Sequence, residues 1–310
     1  MEKNVLGLHH ITAIASDART TLDFYTRVLG LRLVKKTVNF DDPGTYHFYF
    51  GDETGSPGTI LTFFPWVGIG AGRNGPGMAT RIGFSVPGGS LEFWKKRLAD
   101  MGVAATEPDK RWGESRLDFR DPDGLVLSLV VPHTPDTRSP WTGAGVEAAS
   151  AIRGFHGVEL TLRRLEGTAA ILTGVLGYEL RDVQGDHNRF VNDALPEAGV
   201  VDVTLAPGER PGVNAAGTNH HVAFRVKDEK AQDMVREQVV AKGLSPTSRI
   251  DRDYFYSVYF REPGGVLFEV ATENPGFTVD EPLAELGRSL KLPRQYESAR
   301  ADIEKLLPAL

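Results

Sequence analysis

A chain that repeats two short patterns, each of them twice, is constrained to fold as repeated copies of small units, and this sequence does so. Residues 21–34 read TLDFYTRVLGLRLV and residues 168–181 read TAAILTGVLGYELR. Each is an amphipathic stretch that closes on a glycine, Gly30 or Gly177, and continues as a strand-like sequence. That is the pattern of a helix whose end needs a residue free to take positive φ. Each follows a strand-like segment, GLHHITAI at 7–14 or GFHGVELTL at 154–162. A second pair repeats separately. Residues 119–130 (FRDPDGLVLSLV) match 260–271 (FREPGGVLFEVA), and upstream RIGFSV at 81–86 matches HVAFRV at 221–226. The shared [DE]-P-[DG]-G is a tight turn between two strands, with proline setting φ and glycine supplying the permissive position. Helix-like stretches follow at 90–101 and 228–242.

The chain therefore divides into four units near 7–66, 79–132, 154–206 and 218–272, each a strand, a helix and several strands. The predicted fold is α+β, with four βαβββ modules. Two fall in an N-terminal half (1–135) and two in a C-terminal half (150–275). The Pro/Gly/Ser/Thr-rich segment 133–150 reads as the linker, and 276–310 as a helical tail with helix-like stretches at 280–290 and 295–307. One such module cannot bury both faces of a curved sheet, whereas two close a barrel-like cavity, so four modules predict two cavities.

Composition narrows the chemistry. The 310 residues carry a net charge of −6 with scattered Lys and Arg, and no basic stripe that could neutralise nucleic-acid phosphates. Without a single cysteine, zinc–thiolate sites, thiol nucleophiles and disulfides are excluded, so any metal must be held by histidine and carboxylate. The opening MEKN runs straight into strand-like sequence, and no apolar run reaches the roughly 20 residues of a membrane span. The expectation is a cytoplasmic protein without nucleic-acid or membrane partners, and homo-oligomeric on base rate, with the tail as a candidate contact.

Aligning the units locates the chemistry. His10 of unit one falls against Gly157 of unit three, while His221 and Glu269 of unit four fall against Arg81 and Ser128 of unit two. Ligand-type residues thus occupy units one and four only. Those two should build a working cavity, and units two and three a structural one. Strand alternation puts His10 with Thr12 on one face, and His221 with Ala223, leaving His9 and His220 opposite. An acid inside the apolar run VLFEVA is costly unless paired or metal-bound. Two imidazoles and one carboxylate on inward faces form the 2-His-1-carboxylate set that leaves positions open and suits Fe(II), with Mn(II) as the near alternative.

At these residues the chain resembles the vicinal oxygen chelate superfamily (glyoxalase, bleomycin resistance and dioxygenase proteins). Within it, the resemblance is to ring-cleaving dioxygenases that act on hydroquinones. The carrying segments are GLHHIT (7–12), NHHVAF (219–224), DRDYFYSVYF (251–260), REPGGVLFE (261–269) and LPRQYE (292–297). The resemblance implies a small aromatic diol and O₂ as substrates. It implies His10, His221 and Glu269 as iron ligands, with Tyr259, Arg252, His9, His220 and Thr12 as polar neighbours. It also places Leu61 where glyoxalase I carries a second glutamate, which argues against a four-ligand isomerase or lyase site.

The expected chemistry is binding of substrate hydroxyls beside the ligands, at least one as an oxyanion, with Tyr259 and Arg252 handling proton and charge. Phe224, Tyr254 and Tyr256 are candidate pocket walls. A metal-free binding protein of the same superfamily is the alternative from another class. It predicts eroded ligand positions, as units two and three have and units one and four do not. Gly70, Gly72 and Gly75 spell G-x-G-x-x-G, but Pro76 follows and no helix opens there, so no dinucleotide site is expected. That loop is a candidate border of the cavity. His47 reads as structural, and His133, His156 and His187 lack partners at ligand spacing.

Overall fold

A computed structural model describes residues 3–310. Met1 and Glu2 of the opening MEKN lie outside the described residues. Unit one consists of β1 (Val5–Ala15), α1 (Ala18–Asp23), β2 (Arg32–Asn39), β3 (Asp42–Gly51) and β4 (Ile60–Pro65). Unit two follows with β5 (Met78–Ser85), α2 (Leu91–Asp100), β6 (Asp109–Arg111), β7 (Glu114–Arg120) and β8 (Val126–Val131). Unit three has β9 (Gly154–Leu162), α3 (Glu166–Gly174), β10 (Glu179–Gln184), β11 (His187–Val191) and β12 (Val200–Leu205). Unit four has β13 (Thr218–Val226), α4 (Glu229–Ala241), β14 (Ile250–Asp251), β15 (Phe255–Arg261) and β16 (Leu267–Pro275), and α5 (Arg300–Leu306) closes the tail.

Two eight-stranded sheets result. One is ordered β14-β15-β16-β13-β1-β4-β3-β2 and the other β10-β11-β12-β9-β5-β8-β7-β6. Units one and four share a sheet, as do units two and three, which is the pairing the ligand-type residues predict. Each sheet is joined at its middle by two first strands running antiparallel, β1 with β13 and β5 with β9. Alternation then sorts the side chains. Ile11, Ala13, Val222, Phe224, Phe268 and Val270 enter the main core, while His10, Thr12, His221 and Glu269 take the opposite, inner face.

The local signals act as read. Asp17 caps α1 by accepting from Thr20 N at 2.7 Å, and Gly30 and Gly177 take φ of 70° and 69° after the first helices of their halves. The turn acids do more than the sequence reading allowed. Asp121 Oδ1 accepts from the backbone N of Asp123 (3.0 Å) and Leu125 (2.8 Å), while its Oδ2 accepts the Tyr25 hydroxyl at 3.0 Å. Glu262 repeats this, accepting from Gly264 N and Val266 N at 2.8 Å and from the Thr168 hydroxyl at 2.6 Å. Tyr25 belongs to unit one and Thr168 to unit three, so each acid ties its own sheet to the other.

The tail departs from expectation over 280–290, which is not a helix. It holds one short 3₁₀ turn at Leu283–Glu285 and then bridges β2 through Lys36 and Leu290. The cause is a buried anchor: Lys35 is fully buried, with its Nζ 2.5 Å from both Asp280 Oδ1 and Glu281 Oε2. A buried ammonium needs such partners, and holding them there keeps the segment extended. Phe277 and Leu286 join a small core with Tyr49 and Tyr254, and Leu292 and Ile303 pack on Val38. The tail thus covers the β2 edge of its own chain.

Burial raises the Asp121 carboxyl to about 6. The folded chain then binds this proton more tightly than the unfolded one, so its contribution to stability falls as pH rises from about 4 to about 6. Asp121→Asn should remove that slope. In urea denaturation, the variant should gain on wild type between pH 4 and pH 7 by no more than about 3 kcal/mol. Parallel pH curves for the two proteins would show that Asp121 is ionised in the fold at no cost.

Candidate metal centre and its cavity

The centre is set by register. On the β1–β13 pair, His10 lies opposite Ala223 and Thr12 opposite His221, so the two histidines flank a local two-fold. On the other side of β13, Ala223 pairs with Glu269 of β16. Three inward side chains from three adjacent strands therefore meet. His10 Nε2 and His221 Nε2 lie 3.1 and 3.0 Å from Glu269 Oε2, and 3.4 Å from each other. All three residues are buried.

The donor set fits a single ion. A first-row divalent ion sits about 2.1 Å from N and O ligands, so neighbours at right angles around it are about 3.0 Å apart. Glu269 Oε2 is buried and has no hydrogen-bond donor aligned on it, while Oε1 accepts from Ser257 Oγ at 2.5 Å. An orphaned buried carboxylate oxygen facing two imidazole nitrogens is what a cation between them would satisfy.

The neighbouring histidines prepare the ligands. His9 does lie off the ligand face, packing its ring 5.1 Å from Phe255, but its Nδ1 turns back to within 2.9 Å of His10 Nδ1. Its Nε2 is 3.0 Å from the Thr272 carbonyl oxygen. A carbonyl only accepts, so His9 Nε2 carries the proton. Burial holds His9 well below the usual imidazole range, so the ring is neutral and its Nδ1 must accept from His10 Nδ1. That leaves the His10 Nε2 lone pair free and aimed at the centre. His220 repeats the contact with His221, Nδ1 to Nδ1 at 2.8 Å, and burial lowers His220 to about 3. Contrary to the alternation argument, His220 also lines the cavity.

A cavity of about 340 Å³ opens over the three ligands, within the size range of small-molecule sites. Tyr259 lines it with its ring 5.5 Å from that of His221, and Arg252 stands over both Tyr259 and Phe40. Burial raises the Tyr259 hydroxyl well above its ordinary value, so it is protonated. Arg252 also meets Asp41 at 3.4 Å. Its position makes the β2–β3 hairpin, through Asn39, Phe40 and Asp41, the cover of the cavity. The glycine-rich loop expected at its border instead pairs with 213–216, through Arg73 and Val213 and through Ala71 and Ala216.

The expectations for five residues change here. Phe224 lies in the main core and Tyr254 in the small one with its hydroxyl 3.1 Å from Asp280, while Tyr256 is not among the lining residues. The aromatic walls are Phe64, Trp66, Phe255 and Tyr49. Leu61 is not the fourth ligand position. It points into the core, and by register Thr62, paired with Thr12, occupies the place Glu269 has beside Ala223. The motif match was displaced by one residue, which on a strand exchanges faces. Threonine in place of glutamate preserves the conclusion that the protein supplies three ligands. His47, read as structural, lines the cavity, with Nε2 2.9 Å from Thr62 Oγ1 and Nδ1 2.9 Å from the Tyr49 hydroxyl. Its signal was alternation with Tyr49 on β3.

The second sheet shows the same frame without a centre. Arg81 stands at the place of His221 and reaches Asp118, Ser128 and Glu159. Arg189 pairs with Asp202 (2.8 Å) and Glu114 (2.6 Å), leaving only about 40 Å³.

With the geometry in place, comparison with known proteins bears on it. The family description Glyoxalase/Bleomycin resistance protein/Dioxygenase superfamily matches residues 7–129 and 154–270. The chain is 49% identical to "Putative ring-cleaving dioxygenase MhqE" of Bacillus subtilis, over 98% of this chain and 99% of that one. It is 35% identical to chlorohydroquinone/hydroquinone 1,2-dioxygenase of Sphingobium indicum, over 98% of this chain and 96% of that one. A crystal structure of a "putative dioxygenase" from B. subtilis superposes with a TM-score of 0.95 at 43% identity, covering 99% and 98% of the two chains.

His9→Phe should leave the fold intact but lower metal affinity about 10- to 100-fold by freeing the His10 ring. Metal content after dialysis against graded chelator would measure this. Wild-type retention would assign His9 to packing alone.

Proposed function

We propose that this chain, which belongs to the glyoxalase/bleomycin resistance/dioxygenase superfamily, is an Fe(II)-dependent dioxygenase that opens the ring of a hydroquinone-type diol with O₂. The observation that carries the reading is the three-ligand centre with Thr62 at the fourth protein position, under a largely aromatic cavity. A site saturated by protein ligands has no room for two further reactants, whereas this donor set keeps positions open on the cavity side. The activity named for the Sphingobium relative supports hydroquinone as the substrate class. Mn(II) fits the same donors, and the neutral histidine and carboxylate set does not distinguish the two ions.

When bound, the metal supplies the sites at which diol and O₂ meet and the redox path between them. The protein's own groups do the rest. Phe64, Trp66, Phe255 and Tyr49 enclose the ring and keep bulk solvent from its faces, which strengthens the polar contacts beside it. Arg252, held over Tyr259 and Phe40, places a permanent positive charge where oxygen atoms of the substrate gain negative charge. Tyr259, protonated beside His221, can donate to such an oxygen and be stabilised as it does so by Arg252. Ser257 holds Glu269 Oε1, fixing which carboxylate oxygen faces the centre.

Anaerobic loading with Fe(II), followed by oxygen uptake on adding hydroquinone with catechol in parallel, tests the reading. Uptake with hydroquinone and a new absorbing ring-opened product is expected. Uptake with catechol alone would move the substrate class, and iron bound without uptake from either would favour an isomerase or lyase. His10→Ala, His221→Ala and Glu269→Ala should each lose iron and activity with the melting temperature near wild type. Tyr259→Phe should lower kcat by roughly 10²-fold while iron content stays unchanged. Unchanged kinetics in that variant would place Tyr259 among the packing residues.

A further inference from the structure

The wall of the cavity contributed by unit one carries polar groups that the metal ligands and the Tyr259–Arg252 pair leave unused. Tyr49 pairs with Thr62 as Tyr259 pairs with Glu269, so His47, two residues before Tyr49, stands where Ser257 stands in unit four. Their hydroxyls and ring nitrogens form an unbroken chain. Tyr49 Oη lies 2.9 Å from His47 Nδ1, His47 Nε2 lies 2.9 Å from Thr62 Oγ1, and Thr62 Oγ1 lies 2.9 Å from Thr12 Oγ1. All four residues are buried, and Thr12, His47 and Tyr49 line the cavity.

Counting protons decides what this chain can do. A neutral imidazole brings one N–H, and each of the three hydroxyls brings one O–H, so four protons serve three hydrogen bonds. The surplus proton sits at one end. If every bond points toward Thr12, the Thr12 hydroxyl is a donor into the cavity. If every bond points toward Tyr49, Thr12 is an acceptor and Tyr49 is the donor. Shifting each proton along one bond, as one proton enters at Thr12 and one leaves from Tyr49, converts one arrangement into the other without leaving a charge on any member. That matters because a charged group at such a depth would be strongly penalised.

We propose that Thr12, Thr62, His47 and Tyr49 form a proton wire that carries away the hydroxyl proton of a bound diol. The proposal rests on the diol-binding reading above. In the step, the substrate O–H bond breaks and its proton bonds to Thr12 Oγ1. The Thr12 proton passes to Thr62 Oγ1, the Thr62 proton to His47 Nε2, the His47 Nδ1 proton to Tyr49 Oη, and the Tyr49 proton to water in the cavity. The substrate keeps the electron pair as an oxyanion, and nothing is oxidised or reduced. His47 and Thr62 act through Thr12 and are positioning residues in this scheme.

Proton release on mixing the Fe(II)-loaded protein with hydroquinone under anaerobic conditions tests this, followed with an indicator dye in weak buffer. No turnover is required, so the test stands apart from oxygen uptake. Wild type should release a proton in a fast phase that slows in D₂O. His47→Phe, Thr62→Val and Tyr49→Phe interrupt the wire at three points. Each should slow that phase at least about tenfold at saturating hydroquinone, with iron content near wild type. His47→Ala should regain the fast phase with added imidazole, which a packing role would not produce. The proposal is overturned by no proton release from wild type, by a wild-type rate in any interrupted variant, or by failure of imidazole to rescue His47→Ala.

Discussion

The antiparallel pairing of β1 with β13 is the constraint on which the site depends. It brings together histidines 211 positions apart in the chain and sets them symmetrically about a local two-fold. It also places β16, and with it Glu269, one strand away. The ligands are therefore aimed by backbone hydrogen bonds before any side-chain interaction is counted, and sites built on strands of a packed sheet hold their geometry more closely than sites on loops. Side chains then refine the aim. His9 takes its proton bookkeeping from the Thr272 carbonyl and passes it to His10, and Ser257 decides which oxygen of Glu269 is free.

The same frame built twice has been put to two uses. In one sheet the inner face holds three convergent ligands under an open cavity. In the other, Arg81, Arg111 and Arg189 meet Glu114, Glu159, Asp118 and Asp202 and fill nearly the whole space. The inner face of that sheet therefore carries charges paired with one another where the first sheet carries three convergent ligands. The turn acids join the two. Asp121 and Glu262 each close a hairpin in one sheet and grip a hydroxyl belonging to the other, so each sheet is held partly by its neighbour.

Much of this was legible in the residues. The repeated V-L-G core and the [DE]-P-[DG]-G turn revealed four units, and the mismatch of His10 with Gly157 and of His221 with Arg81 revealed which two carry the chemistry. What escaped the reading was decided by register and by contacts distant in sequence. Leu61 for Thr62 is an error of one residue, invisible without the strand partner and sufficient to exchange core for cavity. His47 looked like any histidine on an alternating strand, because its meaning comes from Thr62 and Tyr49. The 280–290 segment has a helical composition, but two of its acids serve the buried Lys35 and cannot do so from a helix. The covering role of the β2–β3 hairpin likewise depends on Arg252, more than two hundred residues away.

That the three ligands come from the first and last of the four units has a consequence for how the protein is made. On the ribosome, His10 emerges early and its strand must wait without a partner until β13 has been synthesised. Glu269 follows later still. Neither unit one nor the whole N-terminal half can retain the ion, and contacts of such long sequence separation form slowly. Metal capture is therefore a late event that reports a chain translated at least through β16. Products that end before β16 carry no centre.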